Sequence, residues 1–298
     1  MCADKGVKGP EGGDAETSVV RTSDGVELHC FRWATQGQPW AAVIFIHGIA
    51  SHAAWFAETA DALRERGVVV YAPDRRGSGR SGGLRGHLDR YSRAIDDLDE
   101  VMRVVASDLR EMPVFLAASS WAAKLAVIYS ARRPGQLRGL MLLGPGLLPR
   151  VNLSLGRRVM VVAGHLVAPT SHLEIPLTPE LYTSTPHYIE FIRADRLRLL
   201  TATLQFFWET ARLDRHRRRA SANLRLPLLV LQGENDAMMD VTKTRRWFSQ
   251  LGTVDKTYRS YPGAGHTLDF EPDPSQYVAD MLAWLRTRVP LRDSTGST

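Results

Sequence analysis

The chain has 298 residues, of which 44% are hydrophobic and 23% charged, and this composition suits one large soluble α/β domain or two small ones. The net charge of +6 is mildly basic, which helps approach to an anionic surface but indicates neither a fold nor a nucleic-acid partner. Two cysteines, Cys2 and Cys30, are too few for a disulfide framework or a metal site, and the longest apolar runs are too short to span a membrane.

The composition of the first and last segments of the chain predicts tails outside the folded domain. Residues 1–17 are polar and lack the apolar core of a signal peptide, so we expect a disordered tail there and another at residues 291–298. The expected location is therefore cytoplasmic, with peripheral contact to a membrane as a further hypothesis.

Strand-like and helix-like segments alternate between these tails, and buried apolar strands that alternate with helices predict a mostly parallel sheet covered on both faces. In chain order the predicted elements are the strands Val19–Arg21, Val26–Trp33 and Trp40–Ile46, the helix Ala53–Arg66, the strand Val68–Ala72, the helix Leu88–Leu109, the strand Val114–Ala118, the helix Trp121–Arg133, the strands Leu137–Leu143 and Leu226–Leu231, the helix Val241–Leu251, the strand Lys256–Tyr261 and the helix Pro274–Val289.

Residues 147–223 interrupt this alternation. They contain helical patterns, such as Leu153–Val167 and Tyr188–Arg212, and no convincing strand. We predict a helical cap at 147–223 over a core formed by residues 18–146 and 224–290. Extra helices packed beside the sheet remain the alternative.

Ser120 is the candidate nucleophile. It follows an apolar strand and precedes an alanine-rich helix, as in the strand–turn–helix elbow that exposes a reactive serine. The elbow usually reads Gly-x-Ser-x-Gly, whereas Ala118 and Ala122 stand at the glycine positions here. A buried helix-capping serine is the alternative role, and Ser119 is the alternative register.

Candidate partners follow two later strands. Asp236 comes after Leu226–Leu231, and His266 follows a glycine-rich turn after Lys256–Tyr261. The order serine, aspartate, histidine is that of α/β-hydrolase triads, in which the acid orients the histidine and the histidine acts as base. Alternative acids are Glu234, Asp240 and Asp269.

Acyl transfer also needs backbone amides that stabilise an oxyanion. The expected donors are the amides of Ile49, in the loop after Trp40–Ile46, and of Trp121, directly after the nucleophile. Four further residues are predicted to border the substrate: His47 and Gly48 in the early loop, and Met238 and Met239 after Asp236. Apolar cap residues at helical spacing are either core or lining of an acyl pocket, among them Leu153, Val159, Met160, Val162, Leu166, Phe206, Phe207 and Trp208.

These motifs occur in one order along the chain: His47-Gly48, the loop from Pro73 to Gly82, Ser120-Trp121, Asp236 and Gly265-His266. In this the chain resembles the monoacylglycerol lipase and lysophospholipase branch of the α/β-hydrolases over roughly residues 18–290. The resemblance implies an eight-stranded sheet, a helical cap between the sixth and seventh strands, and carboxylic-ester hydrolysis without a cofactor.

Two further sequence patterns, a glycine-rich loop and an arginine-rich segment, favour structural roles over ligand binding. Gly77, Gly79 and Gly82 match the spacing of a dinucleotide-binding loop, but Asp74-Arg75-Arg76 separates them from the strand, so a tight loop at the mouth of the site is preferred. The arginine-rich segment from Arg212 to Arg219 is typical of a solvated helix end. The sharper hypothesis is a patch that docks on anionic lipid.

The sequence thus predicts a serine hydrolase that acts on a small ester or lipid through an acyl-enzyme, with no metal, cofactor or nucleic-acid partner. An amide or carbon–carbon bond hydrolase with the same triad, or a catalytically weak binding protein of this fold, are the alternatives. The sequence does not indicate an oligomeric state.

Overall fold

The computed structural model describes residues 14–109 and 111–289. Its strands are β1 Glu16–Arg21, β2 Glu27–Trp33, β3 Ala41–Ile46, β4 Val68–Pro73, β5 Val114–Ser119, β6 Gly139–Leu143, β7 His172–Glu174, β8 Thr201–Thr203, β9 Leu228–Gly233 and β10 Lys256–Tyr261. Its α-helices are α1 Ala57–Arg64, α2 Tyr91–Asp108, α3 Ala122–Arg132, α4 Leu155–Val167, α5 Pro186–Ala194, α6 Leu204–Ala222, α7 Val241–Ser249 and α8 Ser275–Arg286.

The main sheet has eight strands in the order β1-β2-β4-β3-β5-β6-β9-β10. All neighbours from β4 to β10 are parallel, whereas β2 is antiparallel to both β1 and β4. The central strands β3, β4, β6 and β9 are buried throughout, because helices cover both faces of the sheet. Residues of α2 and α3 pack on one face, and residues of α1 and α8 pack on the other.

This is the predicted α/β-hydrolase fold. The segment between β6 and β9, the sixth and seventh strands of the main sheet, carries the helices α4, α5 and α6. The cap helix α6 lies against α3, and α4 in turn packs on α6. The carboxyl ends of the parallel strands therefore lie beneath the cap.

Two details of the predicted cap are wrong. The cap contains a two-stranded antiparallel sheet of β7 and β8, which at three residues each are too short for an alternating pattern. The predicted helix Tyr188–Arg212 is divided into α5 and α6. Asp195 ends α5 because its side chain accepts hydrogen bonds from His52 and Trp55 of the core and from the Leu197 amide, and only the tertiary structure provides the core partners.

The predicted N-terminal tail, residues 1–17, extends past the point where the first strand begins. Strand β1 begins at Glu16 and pairs with β2 from Arg32 backwards, although most of its side chains are exposed and give no apolar pattern. The rest of that predicted tail, up to residue 13, and the predicted tail at 291–298 lie outside the described residues.

Candidate active site

Ser120 lies on a strained turn between β5 and α3. Its φ of +49° is in the left-handed region that residues with a Cβ rarely adopt, at a cost of order 1–3 kcal/mol. Neighbouring backbone holds the turn, since the Ser120 amide donates to the Leu143 carbonyl and the Ser120 carbonyl accepts from the Gly146 amide. Ser119, the alternative register, ends β5 without a positive φ. The geometry therefore matches the elbow at Ser120.

Glycines opposite the elbow explain why it tolerates two alanines. Ala118 and Ala122 are completely buried, with their methyl groups in the core. The tight approaches to Ser120 are made instead by Gly48 and Gly146: a Cβ at Gly146 would lie 2.7 Å from the Ser120 carbonyl carbon, and one at Gly48 would lie 3.1 Å from the Ser120 Cβ. The close packing that the usual motif secures within the elbow is thus supplied by two facing loops.

Asp236 and His266 form a buried pair. Oδ2 of Asp236 accepts from His266 Nδ1 at 2.8 Å, and Oδ1 accepts from the amides of Met238 and Met239. Burial raises the pKa of Asp236, but the His266 charge and hydrogen bond, with the amide donors, outweigh it and hold the pKa below its ordinary value. An ionised Asp236 can only accept, so His266 Nδ1 carries the proton of this hydrogen bond.

The three alternative acids are engaged elsewhere. Glu234 accepts from the Ser260 hydroxyl, Asp240 caps the start of α7 through the Lys243 amide, and Asp269 accepts from Thr59 and Tyr277. Of the four candidate acids, Asp236 is therefore the one that contacts His266.

Ser120 and His266 line one small cavity of about 30 Å³, together with His47, Gly48 and Ile49. With Nδ1 directed at Asp236, His266 Nε2 is the nitrogen that can accept a proton, and within the described ranges it has no hydrogen-bond partner. The described residues include no hydrogen bond between Ser120 and His266. Catalytic hydrogen bonds often form only when substrate closes the site.

Arg75, which the sequence analysis did not assign a role, organises the loop after β3. Its guanidinium donates to three successive carbonyls, those of His47, Gly48 and Ile49, at 3.2, 2.7 and 3.1 Å. Because a trans peptide points its N–H away from its C=O, holding the Gly48 carbonyl on Arg75 turns the Ile49 N–H to the opposite side. The guanidinium also lies over the Trp121 ring, 4.7 Å from its centroid, so Arg75 contacts both residues whose amides are the predicted oxyanion donors.

His47 supports the same loop as a neutral ring. Its Nε2 accepts from the Arg75 amide at 2.9 Å, and its Nδ1 lies 3.0 Å from the Gly48 carbonyl, so Nδ1 carries the proton. Burial, with Arg75 nearby, holds the pKa of His47 well below its ordinary value. His47 therefore supports the loop structurally. For Arg75, the one feature of the sequence that could have indicated this role is its position within the Pro73–Gly82 motif.

A larger cavity of about 500 Å³ opens from Ser120 beneath the cap. Ile49 and Trp121, the predicted oxyanion donors, line it together with Met238 and Met239. Its wall is mostly apolar and comes largely from cap residues; of the cap residues named in the sequence analysis, it includes Leu153, Val162, Phe207 and Trp208. Phe206 is buried against Trp121 instead, and Val159, Met160 and Leu166 are exposed.

The glycine-rich loop is bonded to β2 and to the cap. Three of its glycine amides bond within the loop or to β2: Gly77 donates to Gly82, Gly86 donates to Gly77, and Gly82 donates to Glu27. The Gly86 carbonyl accepts from the Thr203 amide of β8, and a Cβ at Gly86 would lie 2.6 Å from the Thr201 carbonyl oxygen.

The arginine-rich segment is not one surface. Arg217 is buried and donates to the Leu147 carbonyl, whereas Arg215, Arg218 and Arg219 are exposed on α6. The predicted anionic-lipid patch is therefore smaller than its sequence suggested. Among the described residues there is no helix with both the length and the apolar character to cross a membrane.

Comparison with known proteins places this arrangement in a family. A family model described as "Serine aminopeptidase, S33" matches residues 37–273. The monoacylglycerol lipase of Mycolicibacterium smegmatis is 27% identical over 268 residues, covering 88% of this chain and 93% of the relative. The human monoglyceride lipase is also 27% identical, over 272 residues that cover 90% of this chain and 89% of the relative.

Solved structures share the fold. The monoacylglycerol lipase of Paleococcus ferrophilus superposes with a TM-score of 0.79 at 22% identity, covering 88% of this chain and 99% of that one. A soluble variant of the monoglyceride lipase of Saccharomyces cerevisiae, in complex with a substrate analogue, gives a TM-score of 0.81 at 18% identity, covering 95% and 98%. The monoacylglycerol lipase-like resemblance seen in the sequence is confirmed.

Proposed function

Since the chain belongs to the serine aminopeptidase, S33 family, we propose that it is a serine hydrolase of carboxylic esters that acts through Ser120, His266 and Asp236. The observation that carries the proposal is the positive φ of Ser120, on an elbow that borders both the His266 cavity and the larger apolar cavity. A backbone strain of this kind persists only where the surroundings impose it, and such strain is concentrated at active sites.

In the proposed mechanism, His266 Nε2 takes the proton of the Ser120 hydroxyl while Oγ attacks the ester carbonyl. The carbonyl oxygen becomes an oxyanion and accepts hydrogen bonds from the Ile49 and Trp121 amides, of which the first is oriented through Arg75. Asp236 holds His266 in the tautomer with Nδ1 protonated and stabilises the imidazolium that forms.

The tetrahedral adduct then collapses. The carbon–oxygen bond to the alcohol breaks, the alcohol leaves with the proton from His266, and the acyl group remains on Ser120. Water loses a proton to His266, attacks the acyl-enzyme and releases the carboxylic acid, which restores the free hydroxyl. Every proton that His266 accepts is returned, so the cycle needs no cofactor.

Monoacylglycerols are the proposed substrate class. A cavity of about 500 Å³ with a mostly apolar wall suits an acyl chain whose carbonyl lies at Ser120. The names of the sequence relatives, a monoacylglycerol lipase and a monoglyceride lipase, agree with this choice.

An amide hydrolase is the second candidate, favoured by the peptidase in the description of the matching family. The apolar wall of the cavity favours esters of long acyl chains over peptides, which need hydrogen-bonding partners for their backbone. A catalytically weak binding protein of this fold is the third candidate.

An acyl-chain series of nitrophenyl and glycerol esters, run beside peptide-like amides, separates these candidates. We expect turnover of esters by the full chain and its loss in Ser120→Ala. Amide turnover in excess of ester turnover would favour the second candidate. No turnover, together with no fluorophosphonate labelling of Ser120, would favour the third.

We further propose that the cap contacts the lipid surface through α4. One side of this helix exposes large apolar side chains to solvent: Leu155, Val159, Met160, Val162, Leu166 and Val167. Exposed apolar area of this kind marks an interaction site, and Leu153 and Val162 of the same segment also line the large cavity. Substrate could thus pass from the lipid surface directly into the cavity.

Co-sedimentation with vesicles tests this contact. Val159→Ser/Leu166→Ser should reduce binding to phosphatidylcholine vesicles, with the buried cavity-side Val161 left intact. Binding that is equally strong in the double variant would contradict the role of α4. Equal binding of the wild-type chain to neutral and anionic vesicles would contradict the hypothesis that the exposed arginines of α6 bind anionic lipid.

A further inference from the structure

A lysine–aspartate pair, in which the lysine is buried and the aspartate is partly exposed, lies in the wall of the larger cavity. Lys124 is on α3, about one helical turn after Ser120, and Asp214 is on the cap helix α6. Lys124 Nζ donates to Asp214 Oδ2 at 2.8 Å, and both residues line the cavity that opens from Ser120.

Lys124 is poorly solvated and only partly paired. Its side chain is 6% exposed, and burial lowers the pKa of its ammonium in spite of the nearby Asp214 charge. An ammonium group carries three N–H donors, whereas Asp214 is the one hydrogen-bond partner of Nζ within the described part of the chain. Two donors therefore remain unused next to an apolar cavity.

The polar groups around Lys124 offer mainly donors to the cavity, since the one carboxylate oxygen without a partner, Asp214 Oδ1, is itself buried. Asp214 directs Oδ2 to Lys124, whereas its buried Oδ1 lies 3.8 Å from Arg217 Nη2 and has no hydrogen-bond partner among the described residues. Thr210 accepts a hydrogen bond from Trp121 Nε1 at 3.1 Å, which leaves its hydroxyl proton available. This section of the wall can thus donate several hydrogen bonds but accept few.

Docking of the cap does not by itself account for the pair. The helix α6 is already fastened to the core by the stacking of Phe206 on Trp121 and by the Glu209 carboxylate, which accepts from the Tyr91 amide. Burying the charge of Lys124 costs desolvation that an apolar side chain of similar volume would avoid, so this ion pair is a poor choice for packing alone. Its place in the cavity wall indicates a role towards the ligand.

We infer that this section of the cavity recognises an acceptor oxygen, a hydroxyl or keto group, on the acyl chain of the substrate. The inference rests on the proposed ester-hydrolase function, because Ser120 fixes where the acyl chain begins. A neutral oxygen fits better than a carboxylate, whose full charge would have to be desolvated in a mostly apolar cavity next to Asp214. Lys124 is then a residue that determines specificity.

Matched esters test the inference in the full-length chain. Nitrophenyl esters of one chain length are compared, either unsubstituted or with a hydroxyl or keto group at successive positions along the chain. We expect the best oxygenated ester to have a kcat/KM about ten-fold or more above that of the plain ester, since a hydrogen bond from a charged donor is worth about that factor. The preferred position reports the distance of Lys124 from the reacting carbonyl.

Two variants test whether Lys124 causes the preference for oxygenated esters. In Lys124→Met, which keeps the length of the side chain but has no donor, the ratio of kcat/KM values for oxygenated and plain esters should fall towards one. Lys243→Met is the matched control, because Lys243 lies on α7 with 66% of its side chain exposed, and it should keep the wild-type ratio.

Each result decides one point. Equal kcat/KM for plain and oxygenated esters in the wild-type chain overturns the inference and leaves the ester-hydrolase function standing. A preference that survives in Lys124→Met, or a stronger preference for a terminal carboxylate, overturns it as well. If no ester is cleaved and Ser120 is not labelled by a fluorophosphonate, the proposed function itself fails. Should Lys124→Met not fold, the wild-type ester series still decides.

Discussion

Arg75 Nη2 lies 2.7 Å from the carbonyl oxygen of Gly48, and this contact sets the direction of the next amide along the chain, that of Ile49. An oxyanion stabilised by that amide depends on a side chain 26 residues further along the chain, which lines neither of the two cavities that border Ser120. Arg75 is therefore a positioning residue.

Replacing Arg75 should lower kcat more than it raises KM. In Arg75→Lys the flat, multi-donor guanidinium is lost, so the three carbonyls are no longer held together and the Ile49 amide loses its fixed direction. Loss of one oxyanion donor costs about 10²–10³ in kcat. Steady-state kinetics on a nitrophenyl ester measure the split.

The neighbouring Arg76 provides the control. It pairs with Asp24 and Asp97 and lines neither of the two cavities that border Ser120, so Arg76→Lys should affect stability while kcat stays near the wild-type value. Equal losses of kcat in the two variants would mean that Arg75 acts through general stability only.

Ser120→Ala should abolish turnover, with a loss of at least about 10³ in kcat, because the attacking oxygen is removed. Ser119→Ala removes the adjacent hydroxyl and should keep most activity, since Ser119 belongs to β5 and lacks the strained φ. Fluorophosphonate labelling followed by mass spectrometry of the modified peptide reads out the same difference. A label on Ser119 would refute the register.

Asp236→Asn should lower kcat by about 10³–10⁴ while the fold is kept. The asparagine amide can donate to His266 Nδ1, which favours the tautomer with Nε2 protonated and so removes the acceptor for the serine proton. The pH profile of kcat, together with thermal unfolding, distinguishes this effect from a loss of structure.

Asp240→Asn is the matched control for the acid. Asp240 lies four residues later and caps α7 through the Lys243 amide, and asparagine is an equally good cap. Its kcat should therefore remain close to wild type. A large loss of kcat here, with a small one in Asp236→Asn, would reassign the third triad position.

The Asp269 carboxyl should make stability depend on pH. Burial raises its pKa from 3.8 to about 6, although Thr59 and Tyr277 donate to it. Between about pH 4 and 6 the folded state keeps a proton that the unfolded state releases, so stability contributed by this group falls as the pH rises through that window. The accumulated loss above pH 6 is of order 3 kcal/mol for a shift of about two pKa units.

Urea unfolding of wild type and Asp269→Asn between pH 4 and 8 checks this. The asparagine variant stays neutral and does not lose this contribution. The free energy of unfolding of the variant, relative to that of wild type, should therefore increase as the pH rises from 4 to 6 and stay constant above pH 6. A difference that is constant across this range would show that Asp269 titrates alike in the folded and unfolded states.

Sequence patterns predicted most of the main sheet because its strands are continuous apolar runs between helices. They failed where stability comes from pairing rather than from burial. The first half of the exposed edge strand β1 and the three-residue strands of the cap carry no apolar period, and the end of α5 depends on His52 and Trp55 of the core.

The sequence by itself determined the order of the candidate site residues, since Ser120, Asp236 and His266 each follow a strand of a parallel sheet whose carboxyl ends share one edge. Only the tertiary structure decided which of four acids reaches His266, why alanines suffice at the elbow, that Arg75 holds the loop after β3, and that Lys124 lines the larger cavity. The reason is physical: apolar periodicity is local along the chain, whereas hydrogen bonds and close approaches between loops depend on distances that the fold alone fixes.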